Sequence, residues 1–197
     1  MISSALLQYL REQTVSVSDK AQARFGGVPE AILQHNPAPG AWSAIQCLEH
    51  LNTYGRHYLP ALDKAITKAK QRGGRPAASF NSSWLGAYFT KLMQPQQNGT
   101  LRSKMKSPKD HLPAEKPDAG AILSEFIQQQ VTMLQLLERA REINMQKAKV
   151  PTSLSRFIKL SVGDTFSFVI AHINRHVLQA ENAIAAGKQQ HKQYTEN

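Results

Sequence analysis

The chain has 197 residues, enough for one domain with a sizeable core, and we expect a single domain over residues 1–197. Hydrophobic residues make up 41% and charged residues 19%, which is typical of a globular protein in water. No apolar run approaches the roughly 18 to 20 residues that span a bilayer, so a membrane partner is not expected. The N-terminal stretch predicts a first helix rather than a secretion signal. The single Cys47 excludes an internal disulfide and favours a reducing, cytoplasmic location.

Positive charge is concentrated in one segment. Residues 62–116 contain 11 Lys and Arg against three acidic residues, and supply +8 of the net charge of +10. Such a region can attract phosphates, nucleic acid or an acidic small molecule. No nucleic-acid motif accompanies it, so a solvated helix end followed by a basic loop is favoured over nucleic-acid binding. Salt-dependent DNA binding that is lost when Lys104, Lys106 and Lys109 are neutralised would reverse that preference.

Hydrophobic spacing predicts four long helices, and no period-two strand pattern competes with them. The first spans about residues 3–23 and ends before the Gly- and Pro-rich residues 26–40, with room for one turn of helix at 29–33. The second begins after Ser43, which forms a capping-box pattern with Gln46, and continues to about Ala69.

A long connection separates the second and third helices. Residues 71–117 are rich in Gly, Pro, Ser, Asn and Lys, with one apolar island at 84–93, and predict a basic crossover with a short docked helix. The third helix begins near Asp118 and has Val131 on its apolar face. The fourth opens at 161–164 and runs to about Ala186, with Gly187 as its stop. We therefore expect an all-α fold, a four-helix bundle with a long crossover connection between helices two and three.

Three histidines lie where these helices are apolar. His172 and His176 are four residues apart and share one helical face, and His50 lies beside or within the buried face of the second helix. A buried imidazole needs a partner, because an unpaired buried polar group costs about 1 to 3 kcal/mol. A shared divalent metal would satisfy all three rings, and separate hydrogen bonds would also satisfy them. The pattern by itself leaves these two interpretations balanced.

Residues 37–52 read PAPGAWSAIQCLEHLN, and residues 171–176 read AHINRH, followed by Gln179-Ala-Glu181. In motif, order and spacing these stretches are similar to the helix motifs of the DinB/YfiT-like superfamily of metalloenzymes. The resemblance implies a bundle in which His50, His172 and His176 bind one divalent metal, most often zinc or nickel and sometimes iron. It also implies a cytoplasmic and frequently homodimeric protein. The family often has Glu where this chain has Ile173, so no role that rests on that carboxylate is carried over.

The same resemblance indicates a class of reaction. Characterised members of the superfamily include transferases that use low-molecular-weight thiols and a thiol-dependent isomerase. A metal held by three neutral histidines keeps its full charge and acidifies a bound thiol or water. We therefore expect a metal-dependent thiol S-transferase, with a small thiol and an electrophile as partners. A metal-dependent hydrolase on the same site and a non-catalytic, stress-related binding protein with a basic surface are the alternatives.

Other candidates lie around these histidines. Tyr54 and His57 share the helical face of His50 and could orient a ligand or move a proton, although Tyr54 also fits the core and His57 the surface. Cys47 could reach the metal, but a small buried hydrophobe is its favoured role.

Several further side chains receive weaker interpretations. Trp84, Tyr88 and Phe89 of the apolar island could wall a pocket, although at least two of them are expected to pack onto the bundle. Arg175 and Glu181 are interpreted as a polar helix face or a subunit contact. No role is predicted for the remaining histidines, His35, His111 and His191.

Overall fold

Helices dominate the computed structural model, which describes residues 1–95, 107–155 and 157–195. The long helices are α1 (Ser3–Phe25), α3 (Ala44–Gln71), α5 (Ala119–Ala140) and α6 (Val162–Thr195). The shorter elements are α2 (Glu30–Leu33), α4 (Trp84–Met93), a 3-10 turn (Lys109–His111) and the antiparallel strands β1 (Lys149–Pro151) and β2 (Lys159–Ser161). The predicted all-α helical bundle is confirmed. None of the described helices combines the length and apolar character needed to cross a membrane.

The four long helices enclose one core. α1 packs against α5 and α6, and α3 packs against the same two helices, so α1 and α3 lie diagonally across the bundle. The largest fully buried side chains include Tyr58, Leu62, Phe126, Leu137 and Phe166. Complete burial of one such apolar side chain stabilises the fold by about 1.5 to 3 kcal/mol, so this core is the main source of stability.

Reciprocal hydrogen bonds at Ser43 and Gln46 set the start of α3. The Ser43 hydroxyl accepts from the backbone N–H of Gln46 at 3.3 Å, and the Gln46 side-chain oxygen accepts from the Ser43 N–H at 3.0 Å. The predicted capping box is thus confirmed. The Gln46 amide also donates to the carbonyls of Ala114 and Glu115 at 3.2 Å. One side chain therefore joins the first turn of α3 to the end of the crossover.

The helices and strands differ from the sequence prediction in three places. Strands β1 and β2 pair where no strand was predicted, because runs of three residues are too short to show an alternating pattern. The predicted stop of the fourth helix at Gly187 is wrong. Gly187 is buried inside α6, where a Cβ would lie 3.2 Å from Ile32 and 3.3 Å from His35. The absence of a side chain therefore allows α6 to pack closely against α2 and the residues that follow it. Val131, assigned to the apolar face of α5, is exposed.

The predicted docked helix of the crossover is present as α4, which packs against α6. The carboxylate that joins them belongs to Asp164, which is only 1% exposed. It accepts hydrogen bonds from the hydroxyls of Ser82, Ser83 and Ser161 and from the Ser83 N–H. A Cβ on Gly86 would overlap the carboxyl group of Asp164, so glycine is needed for this close approach. The carboxylate therefore fixes α4 to the first turn of α6.

Replacing Asp164 with Ala should lower the free energy of unfolding by about 2 to 4 kcal/mol, because hydrogen bonds to a buried charge are lost together. Urea denaturation followed by circular dichroism measures the effect. Asp19→Ala, on the exposed face of α1, is the matched control and should change stability by less than about 0.5 kcal/mol. A loss below about 1 kcal/mol at position 164 would contradict this role for the carboxylate.

Candidate metal centre

The structure brings the three predicted histidines together between α3 and α6. All are buried, and one ligand atom from each lies within 4.8 Å of the others. His50 Nε2 lies 3.2 Å from His172 Nε2. The ring centroid of His176 lies 4.6 Å from that of His50 and from that of His172. The i,i+4 spacing on α6 and a single residue of α3 therefore build a compact cluster.

Hydrogen bonds fix the tautomer of two rings. His50 Nδ1 lies 2.7 Å from the carbonyl oxygen of His111, which can only accept, so Nδ1 carries the proton and Nε2 keeps its lone pair. His176 Nδ1 lies 2.9 Å from Oε1 of Gln179, so its Nε2 likewise keeps a lone pair. Such contacts orient histidines that bind a metal and raise their basicity as ligands.

Burial keeps all three rings neutral. It lowers the pKa of His50 from an ordinary 6.5 to about 4, and burial, with the charges of His50 and Arg175, lowers the pKa of His176 to about 3. Burial and the neighbouring charges hold the pKa of His172 well below its ordinary value. At neutral pH each imidazole therefore has a lone pair to offer. His172 Nδ1 has no hydrogen-bond partner among the described residues, so either nitrogen of that ring can supply it.

The cluster fits a divalent ion. Two nitrogens that each lie about 2.0 to 2.1 Å from a tetrahedral zinc ion are about 3.3 Å apart, close to the 3.2 Å between His50 and His172. Among the described residues no carboxylate or thiol joins the three histidines, so a bound ion would keep its double charge.

A family model described as the DinB superfamily matches residues 13–180, which is most of the chain. The chain belongs to the DinB superfamily. No curated protein and no solved structure shows a significant match. Membership of the DinB superfamily and the buried histidine cluster together fit a metal-binding protein.

A cavity of about 760 Å³ opens beside the histidines of this DinB-superfamily protein. Its walls come from α3, α4, α6, the β1–β2 hairpin and the segments that precede α3 and α5. The lining includes Trp42, whose ring centroid lies 4.8 Å from that of His50, and Phe168, which stacks on His172 at 6.0 Å. This volume is within the range of small-molecule sites. The cluster is therefore accessible to a substrate-sized molecule.

The neighbours predicted for His50 have different positions. Tyr54 lines the cavity, with its ring centroid 5.0 Å from that of His50 and 4.4 Å from that of His172. His57 is absent from the described cavity lining and packs edge-on against Tyr58. Cys47 is a buried thiol outside the described cluster, and burial raises its pKa, as suits a small hydrophobic side chain.

Only one of the three aromatic side chains considered for the cavity wall on the crossover lies there. Phe89 lines the cavity, but Trp84 is 81% exposed and Tyr88 is also exposed, so the suggestion that these two wall the pocket or pack onto the bundle is wrong. Their positions on α4 face solvent because Gly86 and Met93 occupy its buried side. Lys104 and Lys106 lie outside the described residues.

Sequence reasoning gave no site role to His111 or Arg175. His111, for which no role was predicted, is buried. Its carbonyl oxygen accepts a hydrogen bond from His50 Nδ1, and its ring centroid lies 4.1 Å from that of Tyr54. Its loop gives no periodic signal. Arg175, assigned to a polar face or a subunit contact, is only 6% exposed and lines the cavity. Its position in the sequence between His172 and His176, which both face inward, could have indicated that it lies at the site. Glu181, by contrast, pairs with Arg24 at 2.8 Å.

Metal-free protein should lose stability as the pH falls from about 6.5 towards 4. In that window the histidines are protonated in the unfolded chain but neutral in the folded one, so unfolding takes up protons. Each histidine lowers the free energy of unfolding by at most about 1.4 kcal/mol for each unit that the pH falls. Urea denaturation at several pH values measures the slope. His176→Gln should reduce it, whereas His191→Gln, on the exposed end of α6, should not. An equal slope in parent and His176→Gln would contradict the assignment.

Gln179→Leu should weaken zinc binding about 10- to 100-fold while leaving the stoichiometry unchanged, because the group that orients His176 is lost. Competition against a chelating dye measures the affinity. Gln189→Leu, an exposed position on the same helix, is the control. Equal affinities in the two variants would show that this hydrogen bond does not support the site.

Proposed function

We propose that the protein binds one divalent ion through His50, His172 and His176 and acts as a metal-dependent transferase with a low-molecular-weight thiol. The observation that carries this proposal is the placement of three neutral, buried imidazoles on the wall of a large cavity. Three imidazoles suit zinc and nickel, with iron as a further candidate. A cavity of about 760 Å³ has room for both a thiol and an electrophile.

A divalent ion in this position would supply Lewis acidity, which lowers the pKa of a thiol or a water that approaches it. The surrounding residues orient its ligands. His111 and Gln179 hold the protons of His50 and His176 on the nitrogens away from the shared space. Burial raises the pKa of Tyr54 to about 12, so its hydroxyl keeps its proton and can donate a hydrogen bond but cannot serve as a general base near neutral pH.

Elemental analysis of protein purified without a histidine tag tests the metal. The parent should contain about one equivalent of zinc, nickel or iron, and His172→Ala and His176→Ala should each lose it, since two imidazoles bind far more weakly than three. His35→Ala, outside the cluster, is the control. If the parent stays metal-free after reconstitution with each ion, the metal-dependent function is wrong.

The same preparations separate the two reactions considered for this site. The metal-loaded parent is offered an aromatic halide with and without a small thiol, and in parallel an ester and an amide. Turnover that needs both thiol and metal supports the transferase. Thiol-independent cleavage of the ester or amide, lost in His172→Ala, would instead identify a hydrolase and overturn the transferase proposal.

A further inference from the structure

The cavity has one cationic end. Arg175 lies on α6 between His172 and His176, is almost completely buried and lines the cavity. It directly precedes His176 and lies three residues after His172 on the same helix, so it lies beside the cluster. Among the described lining residues there is no Asp, Glu or Lys, so Arg175 is the one side chain on this wall that carries a permanent charge. The cavity is therefore electrostatically suited to an anion rather than to a cation.

Aromatic side chains form the other end. Phe168 lies 5.8 Å from Tyr58 and 5.9 Å from Phe89 between ring centroids, and all three line the cavity together with Leu160. Phe168 precedes Arg175 by seven residues, so the two positions are about 10 Å apart along the helix axis. The rings offer an apolar surface without a charge to desolvate.

We propose that this cavity binds an amphipathic carboxylate, with its anionic head on Arg175 and its apolar body against Tyr58, Phe89 and Phe168. The planar guanidinium matches a carboxylate in shape, and a charge-assisted pair is stronger where water is excluded. His172 lies between the two ends, so the carbons next to the head would pass beside the histidine cluster. The binding of this molecule can be tested without turnover and is independent of the proposed function. Only its role as the electrophilic substrate rests on the proposed function.

Octanoate and octanol are suitable probes, since they share an alkyl body and differ in the charged head. The chain has two tryptophans, and Trp84 is highly exposed, so Trp84→Phe leaves Trp42 on the cavity wall as the only reporter. Titration of its fluorescence gives the dissociation constant of each probe. In this background octanoate should bind about 10- to 100-fold more tightly than octanol.

Two variants separate charge from shape. Arg175→Gln should reduce the preference for octanoate to less than about threefold and leave octanol binding within about twofold. Phe89→Ala should weaken both probes to a similar extent and keep the preference. Lys109→Gln, which removes an exposed cation, is the matched control and should change neither affinity. If Arg175→Gln does not fold, as judged by circular dichroism, Arg175→Lys replaces it, and a reduced but retained preference is expected.

The titrations are run on metal-free and on zinc-loaded protein. A preference for octanoate in both states supports recognition by Arg175, even if the metal analysis contradicts the proposed function. Equal affinities for the two probes in the parent, a preference that Arg175→Gln retains, or a preference present only with zinc would each overturn the inference.

Discussion

Three imidazole rings are buried together between α3 and α6, and this burial makes their protonation unfavourable. The same burial would be costly if the rings had no partners. For His50 and His176 that cost is offset by hydrogen bonds, which they donate to the His111 carbonyl and the Gln179 side chain respectively. Two lone pairs are thereby directed into one small volume, and the neighbouring cavity leaves that volume open to other molecules.

The geometry of the cluster depends on how two helices begin. Ser43 and Gln46 fix the start of α3 and connect it to the end of the crossover, close to the turn that carries His111. Asp164 fixes the start of α6 and joins it to α4, which carries Phe89 on the cavity wall. His50 and His172 lie about two turns further along these helices, and His176 lies one turn beyond His172. Polar contacts outside the apolar core therefore help to position all three histidines.

The bundle could be predicted from local, periodic signals, and the grouping of the three histidines was implied by the resemblance to the DinB/YfiT-like superfamily. His172 and His176 repeat at helical spacing, and Ser43 and Gln46, three residues apart, form a capping-box pattern. His111 and the β1–β2 hairpin could not be predicted in this way, because irregular segments gain their burial from contacts that are distant in sequence. Arg175 was misassigned because charged residues on helices usually face solvent, and only the tertiary fold shows that a cavity accommodates it.

His50 and His172 are in contact across 122 positions of the sequence. A ligand that bridges them would close a loop almost two thirds of the chain in length, as a covalent cross-link does. Loop closure on this scale removes conformational freedom mainly from the unfolded ensemble, by a few kcal/mol in the chain-entropy description. Whatever chemistry occurs at the cluster, its occupancy would therefore also determine how long the folded chain survives heat and proteases.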